Sequence, residues 1–222
     1  MEKLMTLVRR APGLDRPTFL ANYLSAERSA TGKAQFKGYV VSIADLPPEE
    51  VGLRPGGGEP AFDAIEELWV DGLSDYQPGI ADGTVVGELH TYHVREFIER
   101  DFDRSWPDGE PSPGVKAFYF ARRRDGLSHD QFAAYWGDKH APLALVRHIG
   151  MWRYKRNVVT SALSASAPDW DGFAELHFRT AQDFREKFYD SDEGRQAIGE
   201  DVAKFSGPGR ALYTTEHILR TP

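Results

Sequence analysis

The chain has 222 residues, a formal charge of −7 at pH 7 and no cysteine; that length holds one large domain or two small ones, and either can bury a core. The acidic balance argues against a nucleic-acid footprint, because the densest basic runs, Arg122-Arg123-Arg124 and Arg153 to Arg156, are short and interrupted and suit at most a small anionic ligand. Without cysteine there is no disulfide framework, thiolate nucleophile, zinc finger or iron–sulfur site. The stretch Met1 to Val8 is too short and polar for a signal peptide, and no segment approaches the ~18 apolar residues of a membrane span. The expectation is a soluble cytoplasmic protein.

In chain order, Leu4 to Arg9 reads as a strand that runs into a Gly13-Leu14 turn, and Asp15 opens a helix. Tyr39 to Ile43 and Ala64 to Val70 are further strands. Between them the loop Asp45 to Pro60, with Pro47-Pro48 and Gly56-Gly57-Gly58, reads as either a lid or a disordered stretch. Asp101 to Gly114, rich in proline and acid, reads as a linker. Lys116 to Arg122 is the next strand. It is followed by a Gly126-Leu127 turn and a helix capped by Ser128, with Gln131 completing a capping box. Phe132, Trp136 and His140 recur at intervals of four and so share one helix face. Pro142 disfavours helix at the residue before it, which predicts an end at about His140 or Ala141. Met151 to Val158 and Gly172 to Phe178 are strands. Thr180 caps a short helix with core residues Phe184 and Phe188, a second helical piece runs from Ser191 to Phe205, and Leu212 to Leu219 is the last strand.

These elements repeat. Lys3 to Phe19 lies over Lys116 to Phe132 without a gap at an offset of 113, and Asp63 to Val70 lies over Asp171 to Phe178 at an offset of 108. Glu96-Phe97-Ile98 matches Glu216-His217-Ile218 near the end of each half. The order in each half is βαββαβ, the ferredoxin-like unit. The expected class is α+β, with units at 1–100 and 115–222 joined by the linker 101–114. Two such units bury their open sheet faces by closing into a barrel with helices outside. Period-two alternation then assigns the plainly apolar strand faces, including Phe118 and Phe120, to the helices. The mixed faces go to the lumen, which would hold Tyr119, Phe173, Glu175 and His177 from the second half. Thr6, Ile65, Glu67 and Trp69 would line it from the first. A polar strand face bearing large aromatics suits a ligand cavity.

The second half resembles the EthD family of the dimeric α+β barrel superfamily. The residues that carry the resemblance are Arg122-Arg123, Gly126-Leu127-Ser128, Phe132, Tyr135-Trp136 and His140-Ala141-Pro142-Leu143. The first half is similar more weakly, with Tyr23 where the second has Trp136 and Glu27 where it has His140. The resemblance implies an intramolecular version of the barrel that relatives build by dimerising, so either a monomer (a pseudo-dimer) or a homodimer is expected. It further implies one working site per chain, a cofactor-free reaction and a small hydrophobic organic substrate.

Within that frame His140 is the candidate general acid or base, since a helix end beside an aromatic lets an imidazole titrate and reach a cavity; capping its own helix carbonyls is the competing role. Tyr119, Tyr154 and His177 are candidates to stabilise an oxyanion. Trp136, Tyr154, Glu175, Phe173, Trp69 and Glu67 are candidate substrate contacts. His90 and His93 lack a third ligand at recognisable spacing, so no metal site is expected. No Gly-x-Ser-x-Gly elbow or phosphate-binding glycine loop appears. The expected function is a cofactor-independent lyase, dehydratase or isomerase acting on an aromatic, oxygenated compound. Two alternatives stand beside it: a cofactor-free monooxygenase on a phenol or anthrone, and a protein that binds a hydrophobic metabolite without converting it.

Overall fold

Among the described residues, eight antiparallel strands close into one barrel in the order β1-β3-β2-β8-β5-β7-β6-β4. They are β1 (Glu2–Arg10), β2 (Gly38–Ile43), β3 (Ala64–Val70), β4 (Val86–Arg100), β5 (Val115–Ala121), β6 (Met151–Ala162), β7 (Gly172–Phe178) and β8 (Arg210–Arg220). Helix α1 (Arg16–Ala30) follows β1; α2 (His129–Tyr135) and α3 (Ala141–Arg147) follow β5; α4 (Ala181–Glu186) and α5 (Asp192–Phe205) follow β7. This computed structural model describes residues 1–30, 36–46, 51–52, 60–75 and 83–222. Most of the loop 45–60, including Pro47-Pro48 and Gly56-Gly57-Gly58, lies outside the described residues.

Each half contributes four neighbouring strands in the same order: β4-β1-β3-β2 in the first, β8-β5-β7-β6 in the second. Pairings of β2 with β8 and of β4 with β6 join the halves, and closure leaves no unpaired edge among the described strands. The turns after β1 and β5 are alike. Gly13 and Gly126 take φ of 83° and 88°, a left-handed conformation that a side chain disfavours. The segment 101–114 is less of a free linker than its composition predicts. Phe102 stacks on Trp152 at 3.8 Å, Gly109 N–H donates to the Ile218 carbonyl at 2.7 Å, and Ser112 N–H donates to the Glu216 carbonyl at 2.7 Å.

Alternation around the barrel corrects two assignments. On β5 the lumen side carries Lys116, Phe118 and Phe120, while Tyr119 points outward to the helices. On β1 the lumen side carries Lys3, Met5 and Leu7, while Thr6 lies on the outer face and shares a hydrogen bond of 3.0 Å with Thr91. Both errors have one cause. A lysine heads each lumen face, so the face that reads as apolar, from Met5 and Leu7 on β1 and from Phe118 and Phe120 on β5, belongs to the ion-bearing interior. Phe173, Glu175 and His177, with Ile65, Glu67 and Trp69, do face inward as alternation predicts.

Two groups of described side chains occupy the lumen. Met5, Leu7, Ile65, Tyr92, Phe118, Phe120, Phe173 and Leu212 form an apolar part. Two residues along the strands from these, Lys3 and Lys116 enter a carboxylate network. Lys3 contacts Glu67 at 2.7 Å, Glu96 and, across the barrel, Glu175 at 3.1 Å. Lys116 repeats this with Glu175 at 2.9 Å, Glu216 at 2.8 Å and, across the barrel, Glu67. Lys155 and Arg153 add to it through Glu96 and Glu216, at 3.1 and 3.4 Å. Glu67, Glu96 and Glu175 have ligand oxygens within 4.8 Å of one another. The ammonium of Lys3 touches all three, so a lysine already supplies the cation that this carboxylate group needs.

These ion pairs set a pH response. Burial alone would raise the carboxyls of Glu96, Glu175 and Glu216, but the ammoniums of Lys3 and Lys116 outweigh it and hold all three below the usual 4.5. As pH falls, the unfolded chain therefore takes up protons before the folded one does. The stability that the network supplies is complete above about pH 5 and is lost as pH drops below about 4.5. Urea midpoints measured from pH 7 to pH 3 should fall steeply in the acid part; a flat profile would show that the network contributes nothing to stability.

Candidate functional site: a cavity between the barrel wall and the helices

The helix that begins at Ser128 forms as its sequence predicts: the Ser128 hydroxyl accepts from Gln131 N–H, and the Gln131 side chain returns a bond to Ser128 N–H. It does not end at His140. The chain passes through one wide π turn, Trp136 to His140, and continues as α3 through Pro142 to Arg147. The wide turn closes with Ala141 N–H bonded to the Trp136 carbonyl, and Pro142, which has no N–H to give, sits at the start of α3. Phe132, Trp136 and His140 still share a face. All three rings pack on Phe205 of α5, with centroids at 5.7, 6.3 and 5.0 Å.

Between this helical layer and the outer face of β5 and β7 lies a cavity of about 370 Å³, at the small end of the roughly 300–1,000 Å³ usual for small-molecule sites. Its lining is largely apolar and includes Ala174, Leu176, Ile198, Val202 and Phe205, with polar atoms from Tyr119, His140, His148, Tyr154 and Tyr189. Room for it comes from small residues on the barrel wall, Ala121, Ala174 and Ala211. Gly172 serves the same wall, because a Cβ there would collide with the Trp136 ring.

His140 is 8% exposed, and its Nδ1 lies 3.0 Å from Asp201 Oδ2. A carboxylate accepts, so Nδ1 carries the proton and Nε2 is the basic nitrogen left to the ring. Burial lowers the His140 pKa, only partly offset by Asp201, so the ring is neutral at pH 7. Asp201 is itself held below the usual carboxyl range: its burial is outweighed by hydrogen bonds from Tyr135, at 2.7 Å, and His140. Tyr154 accepts from Trp136 Nε1 at 2.9 Å, which leaves its own hydroxyl proton to donate. Burial raises Tyr154 and Tyr119 well above the usual phenol range, so both stay protonated. The Tyr119 hydroxyl donates its hydrogen bond to the Tyr213 oxygen.

Of the residues singled out from the sequence, His140, Tyr119, Trp136 and Tyr154 line this one cavity. His177, Glu175, Phe173, Trp69 and Glu67 are in the lumen, on the other side of the sheet. There His177 Nε2 bonds the Pro113 carbonyl at 2.9 Å, and the two glutamates are bound up with Lys3 and Lys116. The cavity lies outside the barrel wall, so these five lumen residues do not line it. Asp201, His148 and Tyr189 are polar residues that sequence reasoning missed. Asp201 had a signal: it is the one charged position in the buried stripe Gly194, Ile198, Asp201, Phe205 of α5. In the first half the matching positions are engaged differently. Glu27 accepts from the Tyr39 hydroxyl and Glu66 from the Tyr23 hydroxyl, with Phe19 stacked on Tyr23 at 4.9 Å.

An eight-stranded antiparallel barrel with helices packed outside it, closed within a single chain, is the dimeric α+β barrel fold. Residues 124–209, which contain the cavity's helices, match the EthD domain family. An anthrone oxidase-like protein has a similar structure, with a TM-score of 0.61 and 11% identity over 98% of this chain and 93% of its own. A protein from Lactobacillus acidophilus NCFM, provisionally named a monooxygenase, superposes with a TM-score of 0.55 and 10% identity, covering 100% and 97%. Another of that provisional name, from Fusobacterium nucleatum, gives 0.53 and 6% over 99% and 92%. At these identities the likeness establishes the fold. No curated protein matches the chain in sequence. Among the described residues, no helix is long and apolar enough to cross a membrane.

Proposed function

We propose that the chain is an enzyme that removes a proton from a small aromatic, oxygenated substrate, with His140 as the base. The observation that carries this reading is the neutral His140 ring, held by Asp201 through Nδ1 on the lining of an apolar cavity. Nε2 takes a proton from a hydroxyl or from carbon next to a carbonyl. The electron pair moves onto the substrate oxygen, where the protonated hydroxyl of Tyr154 stabilises it. Return of that proton at another carbon is an isomerisation, and its delivery to a departing hydroxyl is a dehydration. The first half acts as the other wall of the barrel. The chain then consists of two ferredoxin-like units, 1–100 and 115–222, joined at 101–114. Their common strand order and the matched pairs Lys3 with Lys116, Glu67 with Glu175 and Glu96 with Glu216 support this duplication.

A second reading keeps the proton step and changes the fate of the anion, which then reacts with dioxygen. The names of the structural neighbours, anthrone oxidase-like and provisionally monooxygenase, favour it. Incubating the protein with anthrone in D₂O separates the readings. Deuterium uptake at carbon without oxygen consumption supports proton transfer alone, and consumption at the electrode supports the oxygenase. Retention of the compound with neither would leave a binding protein.

A further inference from the structure

His148 is the second histidine of the cavity, eight residues beyond His140 and just after α3. Its N–H closes that helix on the Ala144 carbonyl at 2.9 Å, and its backbone then leaves the helical region at φ −91°, ψ 76°. The ring is 3% exposed and packs edge-on to Phe188 at 4.7 Å and against Tyr189 at 5.2 Å, both of which also line the cavity. Nδ1 lies 2.6 Å from the Phe188 carbonyl. A carbonyl only accepts, so Nδ1 carries the hydrogen. Burial pushes the pKa down to about 4, so at pH 7 the ring is neutral and Nε2 holds a lone pair. The cavity thus presents two imidazoles, His140 and His148, each fixed as an acceptor at Nε2 because its Nδ1–H is committed to a protein oxygen. Its charged lining residue, Arg210, is exposed at the rim. Acceptors in an apolar wall recognise a hydroxyl hydrogen and gain nothing from a carboxylate or an ether.

We propose that His148 is a substrate-contacting, specificity-determining residue whose Nε2 accepts a hydrogen bond from a ligand hydroxyl, so that the cavity selects hydroxylated aromatic molecules over their O-alkylated counterparts. This deepens the reading of the cavity as a substrate site and rests on it. It assigns His148 a role separate from the proton abstraction by His140.

The test uses 2-naphthol and 2-methoxynaphthalene, which differ in the hydroxyl hydrogen that Nε2 would accept. The wild-type protein should bind 2-naphthol roughly 3–10-fold more tightly, the worth of one neutral hydrogen bond, and His148→Phe should bring the two dissociation constants within about twofold of each other. His148→Gln, which offers an amide oxygen in place of Nε2, should recover part of the preference. On the unmodified protein, ¹H–¹⁵N correlation spectra of the imidazoles should show the His148 Nε2 resonance moving with 2-naphthol and not with the ether. That measurement decides the matter even if the variants do not fold. Equal affinities in the wild type, an unchanged ratio in His148→Phe, or an Nε2 resonance that stays still would each overturn the proposal. Those outcomes leave the His140 base reading intact. A hydroxyl preference in a protein that neither exchanges deuterium nor consumes oxygen would instead remove the base reading and keep this one.

Discussion

Replacing His140 with alanine should lower turnover by roughly 10²–10⁴-fold, the usual contribution of a positioned general base, while leaving the fold and ligand affinity nearly unchanged. The ring sits at 5.0 Å from Phe205 on the edge of the helix-side core, so its removal opens space beside an existing cavity and deletes no ion-pair network. Asp201→Asn probes the same device from behind. Asp201 touches no cavity atom that the mechanism uses; it orients His140 through Nδ1 and raises that ring's pKa. Its loss should drop kcat by about tenfold or more with little change in KM. It should also move the acid limb of the pH–rate profile to lower pH, because an imidazolium without its carboxylate gives up its proton more readily. A merely structural aspartate would not shift that limb. Full activity in a folded His140→Ala protein would take the histidine out of the mechanism.

The largest stability effect should come from Lys116→Met. Lys116 is 1% exposed and contacts Glu67, Glu175 and Glu216. Methionine keeps much of the stem and removes the charge, leaving three buried carboxylates with fewer cations. Breaking a buried ion pair from one side costs about 3–5 kcal/mol, a large part of the roughly 5–15 kcal/mol that holds a domain folded. Urea denaturation should therefore show a much lower midpoint. Adding Glu216→Gln should restore part of the loss, since the neutral amide no longer needs the ammonium. A double-mutant cycle over Lys116 and Glu216 measures that coupling directly. A cycle that closes to zero would mean that the pair is not energetically coupled.

Much of the fold is legible in the sequence because repetition and capping are local. The offset of 113 that aligns Lys3 with Lys116 also aligns two left-handed glycine turns, and Ser128 with Gln131 marks the start of α2 in both sequence and structure. The strands Ala64–Val70 and Gly172–Phe178 fall where period-two alternation places them. The faces of β1 and β5 are less legible. Alternation separates two sets of residues but does not say which set faces inward, and Phe118 and Phe120 resemble helix-facing residues until Lys116 is seen reaching Glu216 across the strand pair β5–β8. The helix from Ser128 outruns its expected end because Pro142 is a breaker only in a regular α-helix. One extra residue in the π turn Trp136–His140 lets the helical path continue.

The sequence by itself determines the class of protein. A mixed α+β chain whose strands close into an antiparallel barrel is legible from periodicity and caps, which act within a few residues of one another. Only the tertiary structure decided which of the candidate residues meet. Lys3 and Glu175 lie 172 residues apart, and Asp201 lies 61 from His140. That their charges cancel in the lumen, and that His140, Asp201, Tyr154 and His148 gather on the opposite side of the sheet, depends on which strand neighbours which. Long-range pairing of that kind leaves no periodic trace. The barrel interior therefore carries an ionic and aromatic core, and the candidate cavity lies outside its wall, under α2, α3 and α5.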